Sequence, residues 1–335
     1  MEKTLLVIMI IFLAACNKDN PVKPTNSLHF IKRSNPVWEG MPVAGDPTVL
    51  RDGDTLRMYY TSLFLSDTLG KLVISGAKST DGLSWEITDG SLTEESIALD
   101  YRPNEWDKHL ETAEVIKSGN EILMYYSGYP VESQEMGTVI GNGEIGLATS
   151  TDRITFSRVQ SAPILTRGTK DAKDFNALFS PTVIFEDGTY YMLYTGWCID
   201  NCNKPFIGLL GATSVDGIHW TKQQDPILFG NQVNLEWVGY TLAEADLVKG
   251  TDNKYYLFFT GENGIGVAKS DQPFGPWDVY PDPILVKEQN WESSKIVAPS
   301  VIIENDKVRL WYMGVVGEFE DFSIGYAEAD FPLQW

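Results

Sequence analysis

One short strand recurs five times along this chain, and no other feature limits the fold so tightly. It reads Met58-Tyr59-Tyr60-Thr61-Ser62, then Met124-Tyr125-Tyr126-Ser127-Gly128 and Met192-Leu193-Tyr194-Thr195-Gly196. The last two copies are Leu257-Phe258-Phe259-Thr260-Gly261 and Leu310-Trp311-Tyr312-Met313-Gly314. Regular self-similarity of this length belongs to repeat architectures, in which each unit buries its apolar face against its neighbours. Upstream of each copy lies a short apolar segment: Asp46-Pro47-Thr48-Val49, Thr112-Ala113-Glu114-Val115, Ser180-Pro181-Thr182-Val183, Glu244-Ala245-Asp246-Leu247 and Ala298-Pro299-Ser300-Val301. Downstream come a Gly/Ala-rich strand, such as Ile145-Gly146-Leu147-Ala148, and a turn leading to an aromatic residue, as in Ser79-Thr80-Asp81-Gly82 before Trp85. Glycine accepts the positive φ of such turns. Four short strands joined by turns make one propeller blade, and no segment carries a sustained helical period. The expected fold is all-β, a five-bladed β-propeller.

The fifth unit lacks a fourth strand of its own. His29-Phe30-Ile31-Lys32 parallels His219-Trp220-Thr221-Lys222 of the third unit. Residues 28–35 are therefore expected to form the outermost strand of the last blade and close the ring. The propeller would occupy residues 27–335. Residues 1–15 read as a signal peptide, since the apolar run from Leu5 to Leu13 is too short to span a bilayer. Leu13-Ala14-Ala15-Cys16 resembles a bacterial lipobox, which makes Cys16 the lipidation site and residues 16–26 a polar tether. The implied location is the bacterial outer membrane, periplasmic or cell-surface, with contact to the membrane through the lipid alone. Export permits a disulfide between Cys198 and Cys202; free thiols and a metal site are the alternatives.

Charge narrows the partners. With 46 Asp and Glu against 26 Lys and Arg, the net charge is −20. A polyanion would be repelled, so no nucleic-acid partner is expected. The chain holds 10 Trp, 15 Tyr and 15 Phe, residues that suit strands and offer faces for sugar rings.

The upstream segments are the inner strands that line the channel. Aligned on Pro or Ala, the preceding residue is Asp46, Thr112, Ser180, Glu244 and Ala298. Two carboxylates thus share one position in blades one and four. Glu111 stands one residue earlier in blade two, and Glu114 and Asp246 follow the Pro/Ala position. Glycosidic cleavage uses two carboxyl groups, an acid on the leaving oxygen and a nucleophile or base. The acid must stay protonated, which a buried site rich in like charge achieves. The expected catalytic residues are Asp46, Glu244 and Glu111. His109, Trp106, Trp237, Ser180, Glu114 and Asp246 are the expected substrate-binding residues, with Trp106, Trp237 and Trp291 as candidate platforms. No cofactor is required, although the clustered carboxylates are hard ligands of the kind Ca²⁺ accepts.

Gly45-Asp46-Pro47, the Tyr-Tyr strands and the Ile-Gly-Leu-Ala-Thr-Ser and Asp-Gly-Ile-His-Trp phrases resemble the furanosidase-type propellers, glycoside hydrolase families 32, 43, 68 and 130. The resemblance spans nearly the whole segment after the tether. It implies a monomeric carbohydrate-active enzyme, with Asp46 as nucleophile or base and Glu244 as acid. Three departures stand out. Ser180-Pro181 replaces the Asp-Pro of family 43, Glu244 stands one residue before Ala245 rather than two before Pro, and the opening motif of family 32 is absent. The expected function is therefore a glycoside hydrolase acting on arabinose-, xylose-, fructose- or mannose-containing glycans. The alternative is a non-catalytic glycan-binding lipoprotein, which Ser180 favours.

Overall fold

A computed structural model of the protein describes residues 28–39, 44–65, 70–88, 97–130, 142–199, 202–317 and 321–335. The signal peptide, Cys16 and the tether lie outside the described residues. The first strand, β1, is Ile31–Lys32. Blade one comprises β2 (Gly45–Asp52), β3 (Thr55–Leu65), β4 (Gly70–Ser79), β5 (Glu86–Ile87) and a short β6 (Ile97–Leu99). Blade two is β7 (His109–Ser118), β8 (Glu121–Tyr129), β9 (Glu144–Ser150) and β10 (Ser157–Arg158). Blade three is β11 (Ala177–Glu186), β12 (Thr189–Cys198), β13 (Phe206–Ser214), β14 (Thr221–Lys222) and β15 (Leu228–Phe229). Blade four is β16 (Leu242–Lys249), β17 (Tyr255–Gly261), β18 (Gly264–Ser270) and β19 (Asp278–Val279). Blade five is β20 (Lys295–Glu304), β21 (Lys307–Val316) and β22 (Asp321–Asp330). Five antiparallel sheets result, and β1 completes the fifth in the order β1-β22-β21-β20. The chain is the five-bladed β-propeller that its repeats predict.

Each position of the recurring strand has a separate job. The first residue (Met58, Met124, Met192, Leu257, Leu310) is fully buried in the blade core. The second reaches the next blade: the Tyr59 hydroxyl donates to Arg153 O at 2.9 Å, that of Tyr125 to Gly217 O at 3.3 Å, and Trp311 Nε1 to Gly82 O at 2.9 Å. Those acceptors lie in the Ser-x-Asp turns, where Asp81, Asp152 and Asp216 each accept two backbone N–H groups. The third position ties the blade to its own entry loop. Tyr126, Tyr194 and Tyr312 donate to the buried acids Asp107, Asp174 and Glu292 at 3.0, 3.2 and 2.7 Å. The fifth position is small because the entry loop lies on it; a Cβ on Gly314 would stand 2.3 Å from the Trp291 ring.

The ring closes as the sequence parallel implies, over a shorter span. Ile31 pairs with Glu328 and Lys32 with Ala327, and only these two residues are strand, not the whole of 28–35. Fourth strands are two residues long in every blade, because sheet twist accumulates outward and turns the edge away from extended pairing. Past Lys32 the segment bends, and Pro36 has no N–H to give the ladder. Lys32 occupies the place of Lys222: it bridges buried Glu292 as Lys222 bridges Asp174. Cys198 and Cys202 form a disulfide, which decides between the open alternatives.

Candidate functional site

Every inner strand carries a bulge at one position. Register slips between Gly45 and Thr48, Glu111 and Glu114, Phe179 and Thr182, Ala243 and Asp246, and Val297 and Ser300. Within each bulge one non-glycine residue has left-handed backbone: Asp46 (φ 45°), Thr112 (46°), Ser180 (49°), Glu244 (47°) and Ala298 (50°). Such residues cost roughly 1–3 kcal/mol each and cluster where side chains must be re-aimed. The alignment on Pro or Ala thus selected a set of residues that share one unusual conformation.

Two hydrogen-bonded belts hold these bulges. In the upper belt, the hydroxyl at the fourth position of each recurring strand accepts the N–H of the bulge residue in the next blade. Thr112 N–H donates to Thr61 (3.1 Å), Ser180 N–H to Ser127 (2.9 Å), Glu244 N–H to Thr195 (3.0 Å) and Ala298 N–H to Thr260 (3.0 Å). At the seam between blades five and one Met313 replaces the hydroxyl, and Gly45 leaves room for it, since a Cβ there would stand 2.7 Å from the sulfur. The lower belt runs around the whole ring. Val49 N–H donates to Ser300 Oγ (2.9 Å), Val115 N–H to Thr48 Oγ1 (3.2 Å), Leu247 N–H to Thr182 Oγ1 (2.9 Å) and Val301 N–H to Asp246 Oδ2 (2.5 Å). Glu114 completes the circle by accepting from Val183 N–H. Thr48 and Thr182 also donate to Glu114 (3.0 Å) and Asp246 (3.3 Å). Glu114 and Asp246, expected to bind substrate, join blade to blade and also line the axial cavity.

Above the lower belt stand Asp46, Glu111 and Glu244, with 5, 8 and 5% of their surface exposed. Asp46 and Glu244 line an axial cavity together with Thr112, Ser180 and Ala298. Thr61 donates to Asp46, Tyr129 to Glu111 and Thr260 to Glu244. Asp46 Oδ1, Glu244 Oε2 and Ser180 Oγ are buried without a hydrogen-bond partner, an arrangement that native interiors otherwise avoid. Burial pushes Asp46 up to about 6 against the Thr61 hydrogen bond. Burial, then the charge of Asp46, raises Glu111 to about 8 and Glu244 to about 8. Lys295, at the start of β20, opposes the rise at Glu244, and its own ammonium is pushed down to about 8, mainly by burial. The carboxylates of three blades therefore share one low-dielectric space. Near neutral pH the arrangement holds a carboxylate at Asp46 and a protonated acid at Glu244.

The raised values fix the sign of a stability effect. Unfolded, Glu111 and Glu244 lose their protons near 4.5, whereas folded they keep them to about 8. The folded state binds more protons across that window, so stability falls as pH rises through it. The protein should melt at a lower temperature at pH 9 than at pH 5.5. Glu244→Gln should narrow that gap by raising the pH 9 value, readable by calorimetry at the two pH values; a gap unchanged in the variant would remove Glu244 as its source.

The remaining expected residues sit as follows. Trp106 stacks on Tyr126 (centroids 5.9 Å, 15°) and donates to Ser161 O. Trp237 stacks on Phe259 (5.9 Å, 12°) and donates to Pro281 O. Trp291 stacks on Tyr312 (5.8 Å, 29°) and donates to Ser34 O. All three pack the entry loop onto their own blade. The glycine at the fifth strand position draws them there. His109 is buried and stacks on Tyr129 (6.0 Å, 26°), so it braces the residue that donates to Glu111. Among the described residues no three His, Cys, Asp or Glu side chains are arranged to hold a metal ion. Sequence reasoning missed Thr61, Tyr129, Thr260 and Lys295. The hydroxyl recurring at the fourth strand position was the available signal for two of them.

No family model matches the chain. Over 117 residues it is 28% identical to the β-1,2-mannobiose phosphorylase of Thermoanaerobacter sp. (strain X514), covering 32% of this chain and 37% of that protein. Over 129 residues it is 30% identical to the arabinoxylan arabinofuranohydrolase of Bacillus subtilis (strain 168), covering 34% and 24%. The matches therefore span about a quarter to two fifths of those relatives' length. Solved structures align far more widely. A thermostable family-43 glycoside hydrolase superposes with a TM-score of 0.61 at 21% identity, covering 86% of this chain and 91% of that one. The β-1,2-mannobiose phosphorylase of Listeria innocua gives 0.66 at 15% identity, covering 90% and 96%. The chain thus has the five-bladed fold of the glycoside hydrolase propellers, and its structural neighbours include proteins of families 43 and 130.

Proposed function

We propose that the protein hydrolyses glycosidic bonds in a poly- or oligosaccharide. One observation carries this reading: acidic side chains from three blades converge in a buried site, and the free oxygens of Asp46 and Glu244 have no partner there. Glu244 donates its proton to the glycosidic oxygen as the bond to the anomeric carbon breaks. Asp46 either takes a proton from the attacking water or bonds to the anomeric carbon itself. Glu111, which accepts from Tyr129, is the third carboxyl; burial and the charge of Asp46 keep it protonated near neutral pH, so it stands beside the other two as a neutral acid. Its place in blade two offsets the Ser180 of blade three, where family 43 has an acid. The partial sequence likeness to an arabinoxylan arabinofuranohydrolase and the likeness of fold to a β-1,2-mannobiose phosphorylase support the substrate class.

The test is release of reducing sugar from arabinan, xylan, levan and β-1,2-mannan, with mannan also supplied with inorganic phosphate. Release without phosphate from at least one of the four is expected. Retention of a glycan without release favours a binding protein instead, and release that depends on phosphate replaces water by phosphate as the acceptor.

A further inference from the structure

With the three tryptophans committed to packing, the site has no assigned surface for a sugar ring. The positions just before the bulge residues supply one. In ring order they read Gly45, Glu111, Phe179, Ala243 and Val297. They form the tier to which Glu111 belongs, and Phe179 is its only aromatic. Phe179 stands between Glu111 of blade two and the Ala243-Glu244 pair of blade four. It is half-buried, where a core phenylalanine would be sealed.

Phe179 belongs to a small apolar cluster at the junction of blades three and four. Phe179, Ile199 and Tyr240 pack against Ala177, Trp197 and Ala243, and the Phe179 and Trp197 rings lie 6.2 Å apart at 46°. Three devices stiffen this wall. The Cys198–Cys202 disulfide follows Trp197 directly. Asn176 accepts the N–H of Ile199 at 2.7 Å and donates its own to Trp197 O at 3.0 Å. Glu262 accepts the N–H groups of Tyr240 (2.8 Å) and Thr241 (3.3 Å). Tyr240 is half-buried, yet its hydroxyl is buried with no partner. A rigid aromatic face beside an unsatisfied hydroxyl matches a sugar, which offers C–H groups on one face and hydroxyls at its edge.

We infer that Phe179 and Tyr240 form the subsite for the departing sugar, its apolar face on the Phe179 ring and one of its hydroxyls on the Tyr240 hydroxyl. The side follows from chemistry. An acid must touch the leaving oxygen, so the surface next to the acid holds the leaving ring. Ala243, which packs against the wall, is the immediate chain neighbour of Glu244. This assignment rests on the reading of Glu244 as the acid. The occupant is a neutral sugar, since the wall offers it an aromatic face and a hydroxyl.

The experiment compares two leaving groups. Phe179→Ala, Phe179→Leu and Tyr240→Phe are assayed on the oligosaccharide that the wild type cleaves and on the glycosyl fluoride of the same transferred sugar. Fluoride needs neither a proton donor nor a leaving-sugar subsite. Phe179→Ala should lower kcat/KM on the oligosaccharide about 10-fold or more through KM, equivalent to losing one aromatic stacking contact. Phe179→Leu and Tyr240→Phe should fall between Phe179→Ala and wild type, and all three should stay within about 2-fold of wild type on the fluoride. Equal losses on both substrates, or none on either, overturn the assignment. Gel retardation by arabinan, xylan, levan and β-1,2-mannan separates this from the parent reading. If the wild type is retarded but cleaves nothing, Glu244 is not an acid, and retardation lost in Phe179→Ala still places a sugar on the wall. Retardation by none of the four, without cleavage, sinks both.

Discussion

Asp46→Asn should abolish glycan cleavage, lowering kcat by roughly 10³- to 10⁴-fold while glycan binding persists. The amide keeps the shape and the Thr61 hydrogen bond available to the side chain, so the loss isolates the charge. An amide can neither accept a proton from water nor attack the anomeric carbon. The same site predicts the pH dependence. Asp46 at about 6 and Glu244 at about 8 give a bell-shaped kcat/KM with its maximum near neutrality, since activity needs the first ionised and the second protonated. Glu244→Gln should remove the alkaline limb along with most of the rate on substrates with poor leaving groups, and spare much of it on glycosyl fluorides. Activity retained in Asp46→Asn would take that residue out of the chemistry and make Glu111 the next carboxylate to replace.

The second large effect is on the ring itself. Lys32→Met should destabilise the whole propeller by about 3–5 kcal/mol, the usual cost of stranding one member of a buried ion pair. Lys32 and Glu292 have side chains 6% and 0% exposed. Glu292 also accepts the Tyr312 hydroxyl at 2.7 Å and the N–H groups of Glu288 and Gln289, so losing the ammonium leaves a negative charge buried among groups that cannot move away. Nothing covalent joins blade one to blade five here. β1 clasps the start of the chain to its end, alongside the Val49–Ser300 and Trp311–Gly82 hydrogen bonds across the same seam, and Phe30 beside it is part of the core shared by blades four and five. Lys222→Met is the matched control: the same pairing within blade three, with a side chain 30% exposed. It should cost about 1–2 kcal/mol, because solvent screens the pair and the chain is continuous on both sides. Urea denaturation reads both variants. Equal losses would show that the seam gains nothing special from Lys32.

Much of this was legible before any coordinates. The five recurring strands announce the blades because each position answers a constraint that repeats around the ring: a core residue, an aromatic for the next blade, an aromatic for the entry loop, a hydroxyl for the neighbouring bulge, a glycine under a tryptophan. The parallel between Lys32 and Lys222 located the closure, although the pairing proved only two residues long. The inner-strand alignment brought Asp46 and Glu244 to one equivalent position. Sequence reasoning stops short where a residue type serves two purposes. A tryptophan ahead of an inner strand suits a sugar platform and suits a loop packed on glycine equally well; only contact shows that Trp106 and Trp237 do the second. Glu114 and Asp246 look in sequence like substrate-binding carboxylates, and only contact shows that they also accept the N–H groups of Val183 and Val301 and so tie neighbouring blades.

The order of residues alone determined the number of blades, the place of closure and the acidic character of the axis, since these follow from periodicity and from chemistry repeated in register. It could not say which carboxylates have free oxygens, that each bulge turns its residue into left-handed backbone, or that Phe179 meets Tyr240 across a blade junction. Those facts depend on how strands far apart in the chain twist and pack against one another, and such contacts leave no local trace in the residues that make them.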